Sequence, residues 1–162
     1  MATAAIRPLR TEDVTECGDI LESLPEWFGL ADANRAYIGS LHELPAFVAV
    51  DDDGALLGFV AVRSHTETSA EIEVMAVRRR HHRGGTGRRL VEIAIEWCRD
   101  HHIRWLHVKT RGPATYDDDY ERTRRFYLAV GFEPLYESLT EWGADDAALI
   151  MVMALAGDQP GS

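Results

Sequence analysis

Residues 71–90 read EIEVMAVRRRHHRGGTGRRL, a segment with the clearest structural signals in the chain. Alternating polar and apolar residues up to Val77 predict a β-strand that ends in the protein interior. From Gly87 onward, apolar residues recur every three or four positions to about residue 101, which predicts an amphipathic helix. The glycine-rich segment therefore joins the end of a buried strand to the start of a helix.

The glycine-rich turn is suited to holding a polyanion. Gly84, Gly85 and Gly87 permit positive φ angles and close backbone approach, so several N–H groups can converge on an anion at the positive end of the helix dipole. Six arginines between positions 78 and 89 add positive charge, and a diphosphate fits such a site. The alternative is a tight turn with a solvated basic face.

Two common phosphate-binding motifs do not match this turn. A P-loop requires a lysine after its last glycine, whereas Arg88 follows Gly87. A Rossmann turn requires the spacing GxGxxG inside a parallel βαβ unit, and the strands before this turn are predicted to form hairpins. An NTPase and a dinucleotide-binding protein are therefore poorly supported.

The rest of the chain predicts a mixed sheet with helices on both faces. Apolar runs on either side of DDDGA at 51–55 predict a hairpin, Thr11 is the expected cap of the first helix, and Gly131 is the expected end of the last. Strands are predicted at 3–8, 46–50, 56–63, 70–77, 104–109, 132–139 and 146–155, and helices between Thr11 and Pro25, over 31–42, from Gly87 to about 101, and from the aspartates at 117–119 to Gly131. This order predicts an α/β fold with a mixed, mostly antiparallel sheet of about seven strands flanked by about four helices, in one domain over residues 1–156 with a flexible tail at 157–162.

Composition limits the classes of function. The 162 residues carry a net charge of −10, which argues against a general nucleic-acid or anionic-membrane binder. The two cysteines, Cys17 and Cys98, belong to no CxxC pair, so neither a disulfide framework nor a metal site is expected. Without a secretory signal or a membrane-spanning run, we expect a soluble, cytoplasmic protein.

Two segments resemble a known family. The stretch EIEVMAVRRRHHRGGTGRRL resembles motif A of the GNAT N-acetyltransferases, a strand followed by [QR]-x-x-G-x-[GA] at the start of a helix. Here His82 stands at the [QR] position, which is a departure. RRFYLAVGFEPLYE resembles motif B, with FYxxxGF at 126–132, and LPEWFG and HVKT are similar to a bacterial subgroup.

The resemblance implies acetyl-CoA as cofactor. In this family the strand before the turn splays from its neighbour and its backbone holds the pantetheine arm, while the turn holds the diphosphate. The residues implied in cofactor binding are Met75, Ala76, Val77, His82, Arg83, Gly84, Gly85, Thr86, Gly87, Arg88 and Phe126.

Acetyl transfer to an amine requires a base and an acid. Tyr127 is the candidate acid, because a phenol is protonated at neutral pH and can donate a proton to a leaving thiolate. The alternative is that Tyr127 is only a core aromatic residue, since it lies at helical spacing from other residues that would pack in the core. Glu71 and Glu73 are the candidate bases, and the less exposed of the two is the better one, since burial raises the pKa of a carboxyl group. The alternative is that both are solvated charges on the strand surface with no role in catalysis. His65 and His107 are possible substitutes. Since neither cysteine is an evident nucleophile, direct transfer in a ternary complex is preferred.

The resemblance also places the acceptor near the first two helices and the last hairpin. Glu26, Trp27, Phe28 and Trp142, with Glu137, Glu141 and Asp145, would form an acidic, aromatic mouth suited to the primary amine of a small molecule or peptide. The same aromatic residues could instead form a homodimer contact. A non-catalytic acyl-CoA sensor is the rival function, and a nucleic-acid binder using the arginines is a weaker one.

Overall fold

A computed structural model describes residues 4–113, 117–143 and 145–155. The helices are α1 at Val14–Glu22, α2 at Ala31–Ser40, α3 at Thr86–Asp100 and α4 at Asp118–Val130, with short 3-10 helices at Thr11–Asp13 and Arg79–His81. The strands are β1 at Ala5–Pro8, β2 at Ala46–Val50, β3 at Leu56–Ser64, β4 at Ser69–Val77, β5 at Trp105–Arg111, β6 at Glu133–Ser138 and β7 at Ala148–Ala154. None of the helices in these ranges has the length and apolar character needed to cross a membrane.

The seven strands form a mixed sheet in the order β1-β2-β3-β4-β5-β7-β6. Strands β4 and β5 pair in parallel, with Glu71 opposite His107, and the register of this pairing ends there although β4 continues to Val77. The pairs β1–β2, β2–β3, β5–β7 and β6–β7 are antiparallel. The predicted α/β fold of about seven strands and four helices is confirmed, whereas the predicted tail at 157–162 lies outside the described residues.

The chain divides into two compact units. One unit contains the described residues up to Arg63 together with Ile72–Trp97, and the other contains Ser64–Glu71 and the described residues from Cys98 onward. In the first unit, α1 buries Val14, Ile20 and Leu21, whose helical spacing gives the helix one apolar side, in an apolar core with residues of β2 and β3.

The start of α1 differs from the prediction. Thr11 is not the cap; it begins the short 3-10 helix, and Asp13 precedes α1. The Asp13 carboxylate accepts hydrogen bonds from the Arg7 guanidinium at 2.7 and 3.0 Å and from the Arg10 N–H at 2.7 Å. The Arg7 hydrogen bond is the main reason that the pKa of Asp13 lies below its ordinary value, although burial opposes it. An ion pair between the buried Asp13 carboxylate and the partly exposed Arg7 thus fixes this corner instead of a hydroxyl cap.

In the second unit, β5 pairs with β7, and α4 ends just before Gly131, as predicted. Residues Leu106 and Val108 of β5 are buried, and the intervening His107 and Lys109 are half-buried on the opposite face of the strand. The side chain of Asp117 accepts hydrogen bonds from two backbone amides at the start of α4. Gly131 ends the helix with a φ of 114°, a left-handed conformation that favours glycine.

Candidate active site

The glycine-rich turn has the conformation of a strand-to-helix junction. After β4 ends at Val77, the chain passes through the 3-10 helix and two left-handed residues, Arg83 with a φ of 68° and Gly85 with a φ of 86°, before α3 begins at Thr86. A Cβ added to Gly85 would meet open space, so glycine is needed here for its φ angle rather than for room.

The turn presents the positive end of α3. The Arg89 N–H donates to the Gly85 carbonyl at 3.1 Å, so intrahelical hydrogen bonding starts at that carbonyl. Amides earlier in the first helical turn have no preceding carbonyl within the helix, and their dipoles favour an anion. Gly84 and Gly85 are exposed, which leaves the outer surface of the turn accessible.

The six arginines divide into structural and exposed groups. Arg78 donates from Nε to the Leu56 carbonyl at 2.7 Å and from its terminal nitrogen to Glu16 at 3.3 Å, so it secures the end of β4. Arg79 pairs with Glu26 at 2.6 Å. Arg80, Arg83 and Arg88 are exposed, and one terminal nitrogen of Arg89 is buried without a hydrogen-bond partner among the described residues.

His82 and Trp27 lie against the turn. Nε2 of His82 lies 2.7 Å from the Val77 carbonyl oxygen, and the Trp27 ring meets the imidazole edge-on at a centroid distance of 5.8 Å. The departure from [QR] therefore leaves a polar side chain at that position, bound to the end of β4. The Arg79 guanidinium also lies over the Trp27 ring.

Glu26, Trp27 and Phe28 of the predicted acceptor mouth lie in the same unit as the glycine-rich turn, and each contacts specific neighbours. The pKa of Glu26 lies below its ordinary value because its own backbone N–H, and then Arg79, stabilise the carboxylate. Trp27 and Phe28 are partly buried against the core, and Phe28 packs edge-on against Tyr37. The Glu26 carboxylate is therefore already matched by a cation.

Gly58 brings β3 close to the predicted cofactor strand. A Cβ at this position would lie 2.6 Å from the Ala76 carbonyl oxygen and 3.1 Å from the Val77 Cα. Only a residue without a side chain allows this approach. The backbone of Ala76 and Val77 is thereby held in place by a neighbouring strand.

Glu71 is the less exposed of the two candidate bases. It is 6% exposed, and its Oε1 lies 2.8 Å from Nε2 of His65 and 3.7 Å from Nε2 of His107. Its other oxygen lies 3.6 Å from Nζ of Lys109. Glu73, in contrast, is partly exposed and forms an ion pair with Arg63. By the criterion of burial, Glu71 is the better candidate.

Two groups near Glu71, His107 and Lys109, have shifted pKa values. Burial lowers the pKa of His107, which favours its neutral form. Burial also acts to lower the pKa of Lys109, but the hydrogen bond to Glu141 at 2.5 Å and the charge of Glu71 outweigh it, so the pKa lies above its ordinary value. In the sequence, His65 and His107 are isolated residues with no pattern that joins them to Glu71. The alternation along β5 is the signal that His107 and Lys109 share one face of the strand.

Tyr127 is buried on α4 and held by aromatic neighbours. It is 8% exposed, meets Phe132 edge-on at 5.5 Å and lies 5.4 Å from the half-buried Phe126. Burial, with a smaller effect of Tyr120, raises the pKa of Tyr127 to about 12. The phenol is therefore protonated at neutral pH, and it is also a packed core residue.

The remaining sequence-predicted positions are less enclosed. Trp142 is exposed, and Glu141 is paired with Lys109. An open groove of about 580 Å³ runs along α4 and β6, lined in part by Leu128, Leu135 and Tyr136. It includes neither Tyr127 nor Glu71, so we assign no chemistry to it.

Cys17 and Cys98 are buried free thiols. Burial raises their pKa values to about 12 and about 11, respectively. Neither forms an appreciable amount of thiolate at neutral pH, and the thiolate is the nucleophilic form.

Several solved structures share this fold. A GNAT-family protein from Desulfovibrio desulfuricans is 22% identical, with a TM-score of 0.81 over 94% of this chain and 99% of that chain. The ribosomal-protein-S18-alanine N-acetyltransferase of Escherichia coli is 18% identical, with a TM-score of 0.76 over 98% of each chain. An aminoglycoside 6'-N-acetyltransferase complexed with coenzyme A is 17% identical, with a TM-score of 0.77 over 97% of this chain and 99% of that chain.

The sequence itself gives the family. The profile of the acetyltransferase (GNAT) family matches residues 14–132, which include α1, the glycine-rich turn and the FYxxxGF segment. They also include Glu71 with its neighbours His65 and His107, here named the Glu71 cluster. This match covers most of the chain and contains both motifs on which the sequence resemblance rests. The chain belongs to the GNAT acetyltransferase family.

Proposed function

We propose that the protein transfers an acetyl group from acetyl-CoA to a primary amine of a small molecule or peptide, directly in a ternary complex. Membership of an acetyltransferase family supports the reaction class. The observation that carries the cofactor assignment is the left-handed Gly85 immediately before the first turn of α3.

The residues of the turn fit the diphosphate of coenzyme A. Gly85 leaves open space where a side chain would stand, and Arg80 and Arg83 are exposed beside it. We assign the diphosphate to residues 82–88, where backbone amides and the helix dipole favour an anion. When bound, acetyl-CoA supplies the activated thioester.

The pantetheine arm is assigned to the backbone of Met75, Ala76 and Val77. The register of β4 with β5 ends at Glu71, before these residues. Strand backbone outside a ladder offers N–H and C=O groups that can bind an extended ligand as another strand would. The half-buried Phe126 is assigned to the same cofactor by its place in motif B.

Glu71 is proposed as the general base. An ammonium has no lone pair, so the acceptor must lose a proton before it attacks the acyl carbon. The carboxylate of Glu71 is enclosed, and His65 lies within hydrogen-bonding distance of it. Glu73 is the second candidate, and its ion pair with Arg63 makes its carboxylate less available.

Tyr127 is proposed as the general acid. Its hydroxyl remains protonated at neutral pH and donates toward the thiolate as the carbon–sulfur bond breaks. Burial that raises the pKa of a phenol also raises that of a thiol in the same environment, which favours the protonated product. The protonated cysteines Cys17 and Cys98 support direct transfer rather than an acyl-enzyme.

The acceptor is proposed to be recognised by aromatic and acidic groups. Trp27, Phe28 and Trp142 remain candidates for this mouth. Glu26 remains one as well, with the qualification that an incoming amine competes with Arg79 for its carboxylate. We also propose that the protein is bacterial and cytoplasmic and has no nucleic-acid or membrane partner. A homodimer is part of the proposal as well, because the exposed Leu135 and Tyr136 of β6 offer apolar surface for a contact.

A panel of primary amines incubated with acetyl-CoA tests the function, with free thiol and acetylated amine as readouts. We expect thiol release that depends on the amine. A non-catalytic acyl-CoA sensor is the alternative, and Tyr127→Phe separates the two. An enzyme loses turnover and keeps its affinity for coenzyme A, whereas a sensor shows no amine-dependent thiol release in either form.

A further inference from the structure

We propose that His65, Glu71 and His107 form a binding site for a divalent transition-metal ion, with Zn²⁺ as the preferred occupant and one coordination position open. No metal is expected from the sequence, since its two cysteines belong to no CxxC pair. The three side chains come together only through the pairing of strands.

The backbone places Glu71 and His107 on paired strands and His65 just after the end of β3. Glu71 and His107 are register partners on the parallel strands β4 and β5. His65 directly follows β3, and its N–H donates to the Ser69 carbonyl at 2.9 Å, which closes the turn into β4. Ligands held on paired strands are positioned more firmly than ligands on loops.

The side-chain atoms already converge. Nε2 of His65 and Nε2 of His107 lie 2.8 and 3.7 Å from the same oxygen of Glu71. One ligand atom from each residue lies within 4.8 Å of the others. Ligand atoms about 2.0–2.1 Å from a tetrahedral Zn²⁺ stand about 3.4 Å apart. The His107–Glu71 separation is close to this value, and the ion requires His65 to move away from Glu71 by roughly half an ångström and the two imidazoles to adjust until their ligand atoms reach this spacing.

The donor set selects the class of ion. Two imidazoles and one carboxylate suit Zn²⁺ and other late transition metals rather than Mg²⁺ or Ca²⁺, which prefer oxygen ligands. Three protein ligands leave a fourth position, as in zinc sites that bind an exchangeable water. The His65 side chain is 41% exposed, so the ion can enter from that side.

The positive charge of Lys109 disfavours a bound cation at Glu71, but the lysine does not fill the proposed metal position. Its Nζ lies 3.6 Å from Oε2 of Glu71, whereas both histidines approach Oε1, and it forms an ion pair with Glu141 at 2.5 Å. Removal of this cation is therefore expected to strengthen metal binding. This effect distinguishes a site at Glu71 from zinc bound elsewhere on an acidic surface.

Calorimetric titration of the untagged, EDTA-treated protein with Zn²⁺ tests the proposal. We expect one ion per chain with micromolar affinity or better. Glu71→Gln and His107→Asn should each weaken binding by about a hundredfold or more, since loss of even an outer-shell partner costs about 10–100-fold. Lys109→Met should tighten it by about tenfold, and His42→Asn, which alters an exposed histidine outside the cluster, should leave it unchanged.

Absence of bound zinc in the wild-type protein would overturn the proposal, as would equal affinity in His107→Asn and His42→Asn. Should Glu71→Gln not fold, the visible absorption of Co²⁺ bound to the wild-type protein and to His65→Asn gives the same decision. The titration contains neither acetyl-CoA nor amine, so its failure and the failure of the proposed transferase activity are distinguishable. If the zinc site and the transferase activity are both found, Zn²⁺ is expected to inhibit acetyl transfer, because it would bind the carboxylate of the proposed base Glu71.

Discussion

Oε1 of the buried Glu71 lies 2.8 Å from Nε2 of the solvent-exposed His65. The carboxylate is thus withdrawn from water yet linked to a group that reaches it. This environment suits the role proposed for Glu71, that of a general base which accepts a proton and later releases it.

Replacement of Glu71 by Gln is expected to lower kcat about 10²- to 10⁴-fold, the usual contribution of a general base, with little change in the KM for acetyl-CoA. The amide retains the volume of the side chain but cannot accept the proton. Steady-state kinetics with an identified amine measure the effect. Glu73→Gln is the comparison variant, and a larger loss there than in Glu71→Gln would identify Glu73 as the base.

Tyr127→Phe should abolish most thiol release while the stabilisation of the protein by coenzyme A persists. Phenylalanine keeps the edge-on contact with Phe132, so packing changes little. Thermal unfolding with and without coenzyme A, measured beside turnover, separates the two effects. Full turnover in the variant would reduce Tyr127 to a packing residue.

The raised pKa of Tyr127 also predicts a dependence of stability on alkaline pH. The folded value is about 12 against 10.0 for the free group, so the fold favours the protonated phenol. Its contribution is complete below about pH 10, decreases as the unfolded chain loses its proton, and is lost by about pH 12. Urea unfolding at increasing pH should show a steeper loss in the wild type than in Tyr127→Phe. Parallel curves would contradict the assignment.

Gly85→Ala should destabilise the protein by about 1–2 kcal/mol, because a left-handed φ is strained for a residue with a Cβ. Gly85→Asn should cost less, since asparagine adopts this conformation more readily. Chemical denaturation measures both. Gly39→Ala, in α2 with open space around its Cβ, is the control and should be neutral or slightly stabilising.

Gly58→Ala should be the more damaging substitution, with a loss of about 1–3 kcal/mol or more. The new methyl group meets the Ala76 carbonyl, which is backbone and cannot turn aside. Affinity for coenzyme A should fall as well, because the displaced backbone is part of the assigned pantetheine site. Unfolding and ligand titration test the two effects, and an unchanged free energy of unfolding would mean that β3 has room to move.

The fold was predictable because each element has a strong local signal. The alternation in EIEVMAV, the apolar spacing after Gly87 and the glycine at 131 indicate a strand, a helix and a helix end without reference to distant residues. The start of α1 was predicted wrongly at Thr11, because a nearby threonine is the simplest cap, whereas the actual arrangement depends on Arg7 reaching Asp13 from β1.

The candidate site was predictable only in part. The turn follows from its glycines, but the division of its arginines does not, because the Arg78–Glu16 pair joins residues far apart in the chain. The Glu71 cluster likewise depends on the register of β4 with β5, which no local pattern specifies. Partners of charged side chains are a property of tertiary pairing.

Calorimetric titration with coenzyme A, adenosine and pantetheine is the most direct test that the glycine-rich turn binds a diphosphate. Wild-type protein and Gly39→Ala should bind coenzyme A with similar affinity and bind the two fragments, which lack the diphosphate, far more weakly. Gly85→Ala should weaken coenzyme A binding by about tenfold or more, because its strained turn directs the amides away from the anion. Equal affinity for coenzyme A in Gly85→Ala and Gly39→Ala would contradict the assignment of this turn.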